Sequence, residues 1–94
     1  MKIPDDTRIL PKDSVQVRAL GDGAVLVDTN SGDCFELNQI GFEVWKGLEQ
    51  GRSATEICDT LVGTYRIEPA VIAGDVRSLL ASLVEARLVR IVAT

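Results

Sequence analysis

Chemistry in a small protein needs a nucleophile, a base or a set of metal ligands, and the candidates here are few. The chain has two cysteines, Cys34 and Cys58, and no histidine. Without imidazole, the commonest general base and the commonest metal ligand are both missing. The cysteines do not form a CxxC pair and no histidine can complete a zinc site, so no metal is expected. Cys58 reads as a buried small hydrophobic residue in a helix and Cys34 as a strand residue, rather than as redox groups. Neither a Ser-His-Asp nor a Cys-His arrangement can be built, and no glycine-rich phosphate loop is present. Carboxylate catalysis would need two acids converging in a pocket, which spacing along a chain does not give. The chain is therefore expected not to be an enzyme and to use no cofactor.

Size and charge narrow the remaining classes. Ninety-four residues make one domain with no room for a second core. The net charge of −4 argues against a general nucleic-acid binder, because phosphate contacts need clustered Lys and Arg. No stretch approaches the roughly 20 apolar residues of a membrane helix. The first residues, MKIPDDTRILPKDSV, hold no continuous apolar run of the kind a signal peptide carries. The expected location is the cytoplasm, with no membrane partner.

The elements follow from periodicity and punctuation. Residues 1–13 hold two prolines and several charges without a period, and read as an extended arm ahead of a 14–94 domain. VQVRAL, from Val15, alternates as a strand does. Gly21-Asp22-Gly23 is a turn, Ala24 to Val27 a more apolar strand, Thr29 to Gly32 a second turn cluster, and Cys34 to Leu37 a short third strand. After Leu37 the period changes. Asn38 can cap a helix, and Gly41, Val44, Trp45 and Leu48 then share one helical face. Gly51 closes that helix. Ser53 and Glu56 form a capping-box pattern for the next, whose apolar face holds Ile57, Cys58, Leu61, Val62 and Tyr65. Pro69 suits the first turn of a third helix, in which Ile72, Val76, Leu79, Leu80 and Leu83 are spaced for burial up to about Arg87. LVRIV reads as a short last strand. A three-stranded antiparallel sheet followed by three helices is an α+β layout of the winged-helix kind.

This order of words resembles the PqqD-like family, that of the pyrroloquinoline quinone biosynthesis protein D, whose fold recurs as the RiPP recognition element. The resemblance runs from Gly32 to Val89. It rests on the strand ending Leu37-Asn38, Gly41 and Trp45 in the first helix, the Gly51-Arg52-Ser53 joint, the Ile57 helix, the Asp75-Val76 pair and the final Leu88-Val89. It implies a non-catalytic peptide chaperone. Similar proteins bind the leader of a ribosomally made precursor peptide and present it to a modifying enzyme, a radical SAM enzyme or a leader peptidase. The leader lies as an added strand on the third strand, in a groove beside the third helix. Carried onto this chain, the peptide-binding positions are Cys34, Phe35, Glu36 and Leu37 on the strand and Asp75, Ser78, Leu79 and Ser82 on the helix. Asp75 is a candidate partner for a basic leader residue, the two serines for a polar wall, and Leu79 for an apolar floor. The bland alternatives are a solvated Asp75, serines that are merely exposed, and Phe35 and Leu37 in the core. Lasso peptides, quinone cofactor precursors and other radical SAM products are all compatible. The 1–13 arm lies outside the compact family core, where packing on the sheet and exchange between two chains in a homodimer are both open to it.

The rival reading of the same layout is a winged-helix DNA-binding regulator with 69–87 as its recognition helix. That segment sets Asp75 and Glu85 against Arg77 and Arg87, so it has no basic face to offer phosphates.

Overall fold

Tight turns and well-marked helix caps set the architecture. The structure, a computed structural model, describes residues 8–92. In chain order the elements are β1 (Arg8–Pro11), β2 (Val15–Leu20), β3 (Gly23–Asp28), β4 (Cys34–Leu37), α1 (Gln39–Glu49), α2 (Ala54–Tyr65), α3 (Pro69–Glu85) and β5 (Val89–Val92). β2, β3 and β4 form an antiparallel three-stranded sheet in that order, followed by the three helices. This is the expected α+β, winged-helix-like layout, with the strand read as third from sequence now β4. The additional strand, β1, falls in the stretch read as an arm. It pairs antiparallel with β5 and places Ile9 in the core. The rest of that stretch, residues 1–7, lies outside the described residues.

Each helix ends where its capping residues dictate. Asn38 Oδ1 accepts from the Gly41 N–H at 2.8 Å, satisfying a first-turn donor that has no partner within the helix. Gly51, at φ 76°, closes α1, with Gly51 N–H bonded to Leu48 O and Arg52 N–H to Gly47 O. That pair of bonds is the Schellman pattern, which needs a left-handed residue after the helix. Ser53 and Glu56 exchange both bonds of a capping box. α3 begins with Pro69 and stops at Glu85, two residues before the expected end. Arg87 there takes φ 59°, and Leu88 N–H reaches back to Leu83 O. The same motif is thus built on arginine, and it turns Leu88 and Val89 into the core.

One contiguous core joins the sheet to the helices. Leu26 and Leu37 from the sheet meet Val44, Trp45 and Leu48 of α1, Ile57 and Leu61 of α2, and Ile72, Val76, Leu80 and Leu83 of α3. Of the residues expected on the apolar face of α2, Ile57 and Leu61 are buried, while Cys58, Val62 and Tyr65 are only partly covered.

Two carboxylates tie turns to the fold, and their charge state should be felt in stability. Asp28 Oδ1 accepts from the Asn30 N–H at 2.9 Å, and this bond chiefly holds its pKa below the ordinary 3.8. Glu56 is held below its ordinary 4.5 first by the Ser53 N–H. Both groups have a depressed folded-state pKa. Their contribution is therefore complete above the unfolded values and is lost as pH falls through the folded ones. Thermal melts should show the midpoint falling once pH drops below about 4. Asp28→Asn, which cannot ionise, should flatten that part of the profile. An unchanged acid limb in Asp28→Asn would mean that Asp28 contributes nothing to it.

Candidate functional site: an open strand edge and its groove

Among the described residues, β4 is paired on one side only. Its residues face β3 in the register Ala24–Leu37, Val25–Glu36, Leu26–Phe35 and Val27–Cys34, and it is the last strand of its sheet. In an antiparallel ladder, alternate residues direct their backbone groups to opposite edges. Just before β4, Asp28 N–H donates to Asp33 O at 2.9 Å, which fixes the phase. Phe35 and Leu37 then bond to β3, and Cys34 and Glu36 turn their N–H and C=O outward. The far side of β3 gives the same phase. Thr29 N–H donates to Ser14 O, which directs Val25 and Val27 to β2 and leaves Leu26 for β4. Cys34 and Glu36 make no other backbone hydrogen bond among the described residues.

Beside this edge lies a groove of about 460 Å³, lined by Phe35, Glu36 and Leu37 of β4, Ile40 and Val44 of α1, and Asp75, Val76 and Leu79 of α3, with Asn38 and Gly41 at the joint. Its base follows from the pleat. Phe35 and Leu37 share the face of Leu26 and Ala24, where Leu37 is buried and Phe35 half-buried. Gly41 lets α1 start close against the strand. A Cβ there would stand 3.2 Å from Asn38 Oδ1 and 3.3 Å from Leu37 Cδ2, tighter than such contacts normally run.

Among the residues expected at the site, the groove gathers Phe35, Glu36, Leu37, Asp75 and Leu79. Cys34 lies on the strand with its side chain on the outer, exposed face. Ser78 and Ser82 are exposed on α3 and do not line the groove. Asp75 is exposed too, so it sits on the rim rather than beneath it. Ile40, Val44 and Val76 also line the groove and were not among the residues expected there. Val44 and Val76 carry an ordinary core signal, and only the crossing of α1 and α3 brings them to one cleft. The charged residues of the lining are Glu36 and Asp75, both acidic. Among the described residues, no cluster of three or more His, Cys, Asp and Glu side chains is arranged to hold a metal. No helix among them is long and apolar enough to cross a membrane.

An open-edged meander backed by a groove between its last strand and the third helix defines a winged-helix-like fold. The chain belongs to the family of coenzyme PQQ synthesis protein D (PqqD), whose model matches residues 23–89. Two solved structures are similar over nearly the whole chain. One is TbiB1 in complex with the TbiA(beta) leader peptide, 27% identical, with a TM-score of 0.81, covering 90% of this chain and 99% of that one. The other is a lasso peptide synthetase B1 complexed with its leader peptide, 24% identical, with a TM-score of 0.79, covering 88% and 98%; at that identity it speaks for the fold. No curated protein sequence matches the chain closely enough to count as a relative.

Proposed function

We propose that this protein binds the leader of a ribosomally made precursor peptide and delivers it, without catalysing a reaction itself, to a cytoplasmic modifying enzyme, either a radical SAM enzyme or a leader peptidase. The observation that carries the reading is the unpaired edge of β4 with an apolar groove directly beside it. An extended peptide can add to such an edge through its backbone and send alternate side chains into the groove. The TbiB1 complex with a leader peptide, on the same fold, supports it. In this reading residues 14–94 are the recognition element, and β1 is attached to it through β5. Cys34 and Glu36 supply the backbone bonds; Phe35, Ile40 and Leu79 hold the apolar side chains of the leader, over the buried Leu37 and Val44. Ser78 and Ser82 are left for the stretch of leader that runs beyond the groove along α3.

The acidic lining selects for charge. With Asp75 on the rim as the acidic side chain beside the groove, a leader carrying Lys or Arg near its anchored segment is preferred. Asp75→Lys should weaken leader binding by about 1 kcal/mol or somewhat more, since an exposed pair is worth little until the peptide covers it. Folding should change less, because Asp75 is exposed and forms no ion pair among the described residues. A shifted melting temperature with unchanged affinity would make Asp75 a structural residue instead. The reading as a whole is tested by calorimetric titration with the leader encoded by the short precursor gene beside this one. Saturable binding is expected, and no binding to any leader encoded nearby would remove the hypothesis.

A further inference from the structure

The three-stranded sheet packs one face on the helices and leaves the other uncovered among the described residues. Successive side chains of a strand point to opposite faces. On β3, Ala24, Leu26 and Asp28 are buried on the inner face, while Val25 and Val27 point outward and are half-buried. Neither of these valines packs against the core, unlike Val15, Val17 and Phe35 on the inner face of the flanking strands. The register sets Arg18 of β2 and Glu36 of β4 on either side of Val25, and Gln16 and Cys34 on either side of Val27. All four flanking residues are exposed, and Leu20, at the end of β2 on the same face, is 66% exposed.

The strands of this face carry one cation and one anion there, and neither is satisfied within the chain. Arg18 and Glu36 form no ion pair and no side-chain hydrogen bond among the described residues. Adjacent strands lie about 4.8 Å apart, so two strand spacings and the Val25 side chain separate the two charges. The solvated face of an antiparallel sheet is ordinarily polar along its central strand as well. Here an apolar column runs along β3, with a lone arginine on one side of it and a lone glutamate on the other.

We infer that this face docks on the same face of a second copy of the chain, about a two-fold axis running along β3. Sheets stacked face to face keep their strands within about 30° of each other, roughly 10 Å apart. Two kinds of two-fold axis in the interface plane meet that condition. An axis across the strands puts β2 over β2, and sets Arg18 against Arg18 and Glu36 against Glu36. An axis along β3 puts each β2 over the β4 of the other copy. Each Arg18 then meets the Glu36 of the other copy, so the pair forms twice, and Val25 and Val27 meet their own counterparts on the axis. Closed two-fold contacts are self-complementary, and charge selects the second axis. A uniformly acidic or basic partner would satisfy only one of the two charges. Three short strands offer less than the roughly 800 Å² per partner of a stable complex, so the dimer is a weak one, with a dissociation constant on the order of 0.1 mM. The inference does not rest on leader binding, and the in-plane edge of β4 stays uncovered in such a dimer.

The test is sedimentation equilibrium of the full chain, without peptide, from about 10 μM to about 1 mM. The salt is held at roughly 0.15 M, where the repulsion between two chains of net charge −4 is screened beyond about 8 Å. The mean mass should rise with concentration from one chain towards two. Arg18→Glu and Glu36→Arg should each weaken association about tenfold or more, because both charge pairs turn repulsive. Mixed in equal amounts, the two variants should associate as the parent does, since each of the two pairs then joins opposite signs. In an isotope-labelled sample, concentration-dependent amide shifts should centre on Arg18, Val25, Val27 and Glu36. If either charge variant misfolds by circular dichroism, Val25→Asp takes its place. It brings two carboxylates together on the axis and should leave a monomer, and parent-like association there would overturn the proposal. So would a parent that stays monomeric to 1 mM, a mixture that associates no better than its components, or shifts centred on Ile91 and Val92 or on Ile40 and Leu79.

Discussion

Glu36→Pro should lose about tenfold or more in leader affinity while the sheet and helices stay folded. The Glu36 N–H points away from β3, so proline removes a donor that no internal bond uses. A hydrogen bond lost with its partner left unsatisfied costs roughly 1–3 kcal/mol, and the edge offers only two residues with outward groups, Cys34 and Glu36. Glu36→Gln separates the backbone from the side chain: it removes the charge and keeps the N–H. Phe35→Pro supplies the opposite contrast, because its N–H belongs to the ladder with Leu26, and it should destabilise the sheet itself. Isothermal titration on the three variants, with circular dichroism to verify the fold, reads the difference. Parent-like affinity in Glu36→Pro would show that the peptide does not use this amide, and hydrogen-exchange protection confined to the helices would point to docking of a helix in the groove.

The larger effect on stability should come from Trp45→Ala, at about 3–5 kcal/mol. Trp45 is 1% exposed and is the chain's sole tryptophan, so its removal opens the largest hole any single truncation can make in this core. A domain of this size has on the order of 5–14 kcal/mol in total, so the variant should lose a large fraction of its stability and melt well below the parent. Trp45→Phe should be much milder. The indole Nε1–H finds no hydrogen-bond partner among the described residues, so phenylalanine gives up no bond and loses only volume. Denaturant melts followed by circular dichroism give both values. Equal losses in the two variants would mean that the indole N–H has a partner, such as a buried water, that matters.

How far the sequence discloses this molecule depends on how local each signal is. VQVRAL and CFEL were legible because alternation and flanking turns lie within a few residues of each strand. Asn38, the Ser53–Glu56 pair and Pro69 marked helix starts for the same reason. β1 was not legible. RILP is four residues ending in proline among charges, and the partner that makes it a strand is at the far end of the chain. The end of α3 is hard to read from sequence, since Arg87 has no glycine-like signature for the left-handed turn it makes. At the candidate site, the strand half could be read from residues 34–37, while the opposite wall depended on helix rotation. A helical face predicts burial, but which of Leu79, Ser78 and Ser82 reaches a cleft is decided by how α3 crosses α1.

The junction between β4 and α1 consists of Asn38 alone. With its side chain bonded to Gly41, the strand cannot slide along β3 without dragging the helix. A slip by one residue would also exchange Phe35 and Leu37 for Cys34 and Glu36 on the inner face. In the function proposed here the receiving edge is thus a fixed ruler, and any sliding is left to the peptide. An extended chain tried against two fixed rungs can test successive frames without disturbing the fold, and the frame that seats its apolar side chains between Ile40 and Leu79 stops it. Recognition, on that proposal, amounts to measuring position along the leader. The segment to be modified would be held at a set number of residues from the stopping point, whatever the sequence in between.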